Sequence, residues 1–236
     1  MDSSQRATRF AICATLAVII FAVLHGLMHS GNPSRYFGEG RYTTAVSCFQ
    51  LLLTAFFAFS IFRARKAAAW KGGLAGYWVW LIMGCGFVFL AADEALQIHE
   101  HIGRIINKLL PMKGTPLAGR ADDAVIGFYG LIGLFVLWLF RREILEFRVI
   151  LRPLAIGFGF MFFSVICDSL GHHEDIFLRL TGDLRSAKKM QGWADVGDGG
   201  FTLLAEGMFA AAFYCGWRQA VTVQAPMPAA ETVTGV

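Results

Sequence analysis

Six stretches of the chain, 9–29, 44–62, 76–98, 124–140, 153–171 and 200–217, are apolar over a length close to that of a membrane span, for which roughly 20 residues are needed. The pattern predicts an all-α fold: a polytopic integral membrane helical bundle of about six transmembrane helices, with residues 1–218 as one domain. The fourth stretch, Ala124 to Phe140, is the shortest but carries no charge. Polar breaks such as 31–41 and 63–73 separate the stretches and are too short for a second soluble domain. The first run, Phe10 to Met28, is longer than a secretory-signal core and no small-x-small site follows it, so it is expected to be a retained helix. After the third run, Ile102, Ile105, Ile106, Leu109 and Leu110 are set against Arg104 and Lys108 as in a short interfacial amphipathic helix ending at Pro111. From Gln219 the chain turns to Ala, Thr, Val and Pro without periodicity, and 219–236 is expected to be a disordered tail.

Composition agrees with this reading. The chain is 56% hydrophobic and only 16% charged, with a mean hydropathy of +0.54, too apolar for a soluble domain of 236 residues. Basic residues adjoin span ends on one side: Arg6 and Arg9, then Arg63, Arg65, Lys66 and Lys71, then Arg141, Arg142, Arg148 and Arg152, and finally Arg218. On the other side Arg104, Lys108, Lys113, Arg120, Lys188 and Lys189 are spread through longer, acid-diluted loops. The positive-inside rule then predicts a multi-pass cell-membrane protein with both termini cytoplasmic. The net charge of +4 is explained by topology, which removes the case for a nucleic-acid partner and leaves the lipid bilayer. Arg179, Arg185, Lys188 and Lys189 are candidates to meet lipid phosphates, solvation being the commoner fate of loop charges. The five cysteines fall within spans without CxxC spacing and read as packing residues. Gly127, Gly130, Gly133, Gly157 and Gly159 are expected to allow close helix approach.

The candidate chemistry lies in the histidines. All six, His25, His29, His99, His101, His172 and His173, fall at the same end of alternate spans and so gather at one membrane face, the non-cytoplasmic one. His25 and His29 are four apart, which stacks them one turn apart on one helix face and can clamp a metal ion. In Asp93-Glu94-Ala95-Leu96-Gln97-Ile98-His99-Glu100-His101, a continuous helix would put 93, 97, 100 and 101 on one stripe and point His99 elsewhere. Asp93 then lies about 12 Å below His101 at about 1.5 Å per residue, and ionisable groups at such depth face a bundle interior or a wet cavity. Asp168 and His172 are one turn apart, as are Ser169 and His173, spacings that suit metal ligation or an acid orienting a histidine. Glu206 is a lone carboxylate in the sixth span, expected to share a layer with His25, Asp93 and Asp168.

These residues point to a metal or proton site. Asp93, Asp168 and Glu206 are the candidate catalytic carboxylates, and His25, His29, His101, His172, His173 and Glu100 the candidate metal ligands. Mixed imidazole and carboxylate donors suit a divalent metal such as zinc or iron. The set of parts resembles that of the membrane zinc hydrolases of the alkaline ceramidase superfamily, which combine an HxxxH pair, a Ser-x-x-x-His and an aspartate. His25 and His29, Ser169 and His173, and Asp93 are the matching parts here, in a different chain order and with six predicted spans in place of seven. The resemblance implies hydrolysis of a lipid or another membrane-borne substrate. The alternative class is a non-enzymatic metal- or haem-binding subunit for electron transfer, transport or assembly. The inner halves of the predicted spans carry no charge read as buried, which speaks against transport.

Overall fold

The computed structural model describes residues 3–38, 40–69, 76–109, 121–171 and 174–224. Its regular elements are helices: α1 (Ser3–Ser30), α2 (Tyr42–Ala69), α3 (Trp78–Leu96), α4 (Ile98–Leu109), α5 (Ala121–Leu139), α6 (Arg141–Glu146), α7 (Arg148–Gly171), α8 (Glu174–Thr181) and α9 (Leu184–Gln224), with a 3-10 turn at Pro33–Tyr36. The expected all-α bundle is therefore present.

Among the described residues four helices are long and apolar enough to cross a membrane, within α1, α2, α3 and α7. The expected count of about six exceeds this, for two physical reasons. The apolar part of α5, Ala124–Leu139, is a shorter helix. The sixth expected span lies within α9, whose Gly, Ala and Glu206 content dilutes its hydropathy and whose surface is met by protein. Every residue from Leu203 to Phe213 is buried, and α9 packs against α1, α2, α7 and α8. It is the central post of the bundle, whereas α5 exposes Phe128, Leu131, Phe135 and Trp138 at its rim.

The main apolar core joins Ile61, Val79, Trp80, Ile144, Phe147, Ile150, Phe209 and Phe213. Beside it is an ionic clasp that pattern reading missed. Arg65, read as a juxtamembrane charge, donates Nε and Nη2 to Glu143 at 2.7 and 2.8 Å, and Nη2 also reaches Glu146 at 2.7 Å. Trp80 Nε1 donates to Glu143 at 3.0 Å. Glu143 is buried, so this end of the bundle does hold a buried charge, but one closed on its own partners. The clasp puts the end of α2, the start of α3 and α6 together, while the start of α2 and the end of α3 share the opposite end.

Of the glycines expected to allow close packing, Gly157 does so: a Cβ there would come within 2.6 Å of the Phe209 ring. Gly127, Gly130, Gly133 and Gly159 face open space, and Gly84, against the Phe59 ring at 2.5 Å, is a tighter contact. None of the five cysteines forms a disulfide. Helix α9 runs on to Gln224, past the boundary placed at 218, and residues 225–236 of the expected tail lie outside the described residues.

Candidate functional site

The third apolar run does not continue through the histidine motif as one helix. Gln97 adopts a left-handed backbone conformation, φ 54 and ψ 44, and ends α3; a non-glycine residue there costs conformational energy that its surroundings must supply. The chain restarts as α4 and brings His99 back over Asp93. Asp93 Oδ1 accepts the backbone N–H of His99 at 2.8 Å, and Oδ2 meets His99 Nδ1 at 2.8 Å. Both residues are buried, at 5% and 6% exposure. The stripe expected of a continuous helix is thus replaced by a folded-back pair, and His99, expected to point elsewhere, is the histidine that Asp93 holds. Nδ1 is thus the ring nitrogen of His99 that Asp93 engages.

Around the pair is a polar layer drawn from α2, α3 and α9. Helix α2 contributes Thr43, Ser47, Gln50 and Thr54, which recur at helical spacing and leave a polar stripe inside an apolar run. Ser47 Oγ donates to Glu206 Oε1 at 2.7 Å, and Glu206 is 5% exposed with Oε2 unpartnered among the described residues. Thr44 lies beside Glu94, which is within electrostatic reach of His99 and of Glu206. Cys48 Sγ donates to the Ala91 carbonyl at 3.4 Å. Gln50 Nε2 donates to Thr15 Oγ1 at 3.1 Å, and its Oε1 is unpartnered among the described residues. From α5, Tyr129 stands edge-on to Phe89 with its hydroxyl buried, unpartnered among the described residues and within electrostatic reach of Asp93.

The remaining sequence candidates are distributed more widely. His25 Nδ1 and the Tyr36 hydroxyl are 2.7 Å apart, and the His25 and His29 rings stack at 4.0 Å with 17° between their planes. His29 Nδ1 is 3.2 Å from the His25 carbonyl. His25 Nδ1 is thereby engaged with the turn after α1 and His29 Nδ1 within α1 itself. His101 is exposed and donates Nδ1 to the Gln97 carbonyl at 2.7 Å; Glu100 lies 3.7 Å from Arg104. Asp168 is half-buried near the end of α7. Beside it on α7, Ser164 donates to Asp198 at 2.6 Å and shares a hydrogen bond with Thr202 at 2.8 Å, a contact with α9 that sequence reading passed over. His172 and His173 lie outside the described residues. Among the described residues no group of three or more His, Cys, Asp or Glu side chains is arranged to hold a metal ion.

Asp93 and Glu206 therefore belong to one buried polar layer linked through Glu94, while His25 is bound into the α1 turn. Residues 7–222 match the family described as a domain of unknown function, DUF8692. The chain belongs to DUF8692. That match takes in the whole described polar layer, from Thr15 on α1 to Glu206 on α9, so the layer lies within the DUF8692 domain. No curated protein matches the chain, and no solved structure matches it.

Proposed function

We propose that this protein is a membrane-embedded enzyme whose Asp93–His99 pair serves a lipid or other membrane-borne substrate at the non-cytoplasmic face. The observation that carries this reading is the two-point grip of Asp93 on His99 inside the bundle. A carboxylate that fixes both the tautomer and the orientation of a buried imidazole prepares Nε2 either as a general base or as a metal ligand. A structural helix stop would need only the backbone contact. Glu94 and Glu206 supply further carboxylates in the same layer, to complete a ligand shell or to carry a proton.

In the metal-dependent form of this reading the ion is zinc or iron, and the reaction is hydrolysis. His99 joins the ligand candidates, and His172 and His173, which follow α7, remain the further ones. The proposed topology retains six spans, with α5 and the 200–217 part of α9 crossing as well, and puts both termini in the cytoplasm at the clasp end.

The test is metal content and an optical spectrum of the full chain purified in mild detergent, beside release of fatty acid from ester- and amide-linked lipids. Wild type should hold a stoichiometric metal and cleave one of these lipids. His99→Ala should lose both, and Asp93→Asn should lose activity or metal affinity by about 10–100-fold, as for other groups that orient a ligand. A folded wild-type protein that takes up no zinc, iron or manganese after resupply, and whose lipid cleavage is unchanged in His99→Ala, would overturn the proposal.

A further inference from the structure

A second site is assembled from other parts of the chain. Between the turn that follows α1 and the first turns of α9 is a cleft of about 700 Å3, with Asn32 and Ser34 on one wall and Arg185, Lys188 and Lys189 on the other. Positions 185, 188, 189 and 192 recur every three or four residues, so the cations form one stripe along α9. Gly192 continues that stripe without a side chain, and a Cβ there would lie 3.5 Å from both Asn32 Oδ1 and Ser34 Oγ. The glycine thus keeps the floor of the cleft open where the two walls approach.

The charge balance is one-sided. Three cations face one carboxylate, Asp195, among the described lining residues. Arg185, Lys188 and Lys189 make no ion pair among the described residues. Asp183, the acid nearest in sequence, is already occupied by the Arg185 and Ser186 backbone N–H groups, which it caps at 2.8 and 3.2 Å. Exposed Trp193 lies about a quarter-turn of α9 from the cation stripe. An aromatic ring beside cations is the composition of a membrane–water boundary.

We infer that this cleft binds a phosphate group, held by Arg185, Lys188 and Lys189, opposite a wall where the Ser34 hydroxyl and backbone N–H both donate to Asn32 Oδ1 at 3.0 Å. Arginine takes two phosphate oxygens at once and lysine acts as a point charge. The phosphate comes either from a lipid headgroup at the boundary or from a free phosphate in the aqueous phase. The inference goes beyond the Asp93–His99 reading and is tested without any catalytic assay.

The experiment is calorimetric titration of the full chain in nonionic detergent with dioctanoyl phosphatidic acid, dioctanoylglycerol and inorganic phosphate, each at low and high salt. Phosphatidic acid should bind and dioctanoylglycerol should not, and salt should weaken the binding. Arg185→Gln/Lys188→Gln/Lys189→Gln should weaken it by about tenfold or more, ~1.4 kcal/mol, while Lys188→Arg/Lys189→Arg should retain it. Inorganic phosphate binding as tightly as the lipid would support the site and assign it a soluble ligand; much weaker binding would assign the headgroup. Equal binding of dioctanoylglycerol, insensitivity to salt, or unchanged affinity in the triple variant would overturn the inference. The melting temperature of each variant identifies any that fails to fold, and salt dependence in wild type then still decides.

Discussion

Removing the Arg65 side chain should be among the most damaging changes at the α2–α3–α6 end of the bundle. Arg65→Ala leaves Glu143 buried, 7% exposed, with Trp80 Nε1 as its remaining donor at 3.0 Å. Orphaning one member of a buried ion pair costs about 3–5 kcal/mol. The Arg65 side chain is itself 29% exposed, so solvent screening brings the expected loss to the lower end, about 3 kcal/mol. Loss of its packing over the Phe147 ring, 5.5 Å away, acts in the same direction. Glu143→Gln should cost less, about 1–2 kcal/mol, because the amide oxygen still accepts from Trp80 and Arg65 keeps Glu146 at 2.7 Å. The double variant should be more stable than Arg65→Ala alone, since no uncompensated carboxylate is left inside. The assay is reversible unfolding from mild detergent by SDS titration, followed by tryptophan fluorescence. An Arg65→Ala protein within about 0.5 kcal/mol of wild type, the range of an ordinary surface substitution, would refute this account of the clasp.

Three further outcomes are expected. Gly84→Ala, which sets a Cβ 2.5 Å from the Phe59 ring, should destabilise by about 1–3 kcal/mol, whereas Gly127→Ala in open space should be neutral or stabilising by up to about 1 kcal/mol; the same unfolding assay checks both, and equal effects would contradict the packing described. Single cysteines at positions 66 and 142 should be labelled from the cytoplasmic side and those at 114 and 188 from the other, and labelling of 66 and 188 from one side would defeat the six-span topology. Hydrogen bonds from Ser186, by side chain and backbone, and from the Arg185 backbone hold the Asp183 carboxyl below its usual range. Its stabilisation of the first turn of α9 is fully present above the unfolded value, roughly pH 4, and is lost as pH falls through the lower folded value. Amide exchange at Arg185 and Ser186 should accelerate over that acid range, and Asp183→Ala should abolish the pH dependence.

The features legible in the sequence are those that rest on local pattern. Apolar runs of sufficient length marked α1, α2, α3 and α7, and the alternation of Ile102, Ile105 and Leu109 with Arg104 and Lys108 marked the amphipathic α4. The break at Gln97 was not legible, because a left-handed residue is ordinarily glycine or asparagine and nothing local distinguishes this glutamine. That single turn changes which histidine Asp93 holds. The partnership of Arg65 with Glu143 spans 78 positions, and a basic residue beside an apolar run reads first as an interfacial charge. The polar stripe Thr43, Ser47, Gln50 and Thr54 was open to view in the sequence. Hydroxyl groups within a span draw little notice, since each can return a hydrogen bond to its own helix, as Thr54 does to the Gln50 carbonyl at 2.8 Å.

Helix α9 has 41 residues, which at about 1.5 Å per residue is a rod of roughly 62 Å, twice the hydrocarbon thickness of a bilayer, about 30 Å. A rod of that length works as a strut. Its first turns carry Arg185, Lys188 and Lys189, its middle carries Glu206 against Ser47, and its far end reaches the end of α6, where Gln219 Nε2 donates to the Glu146 carbonyl at 3.0 Å. One continuous helix therefore holds these three contacts at a fixed separation.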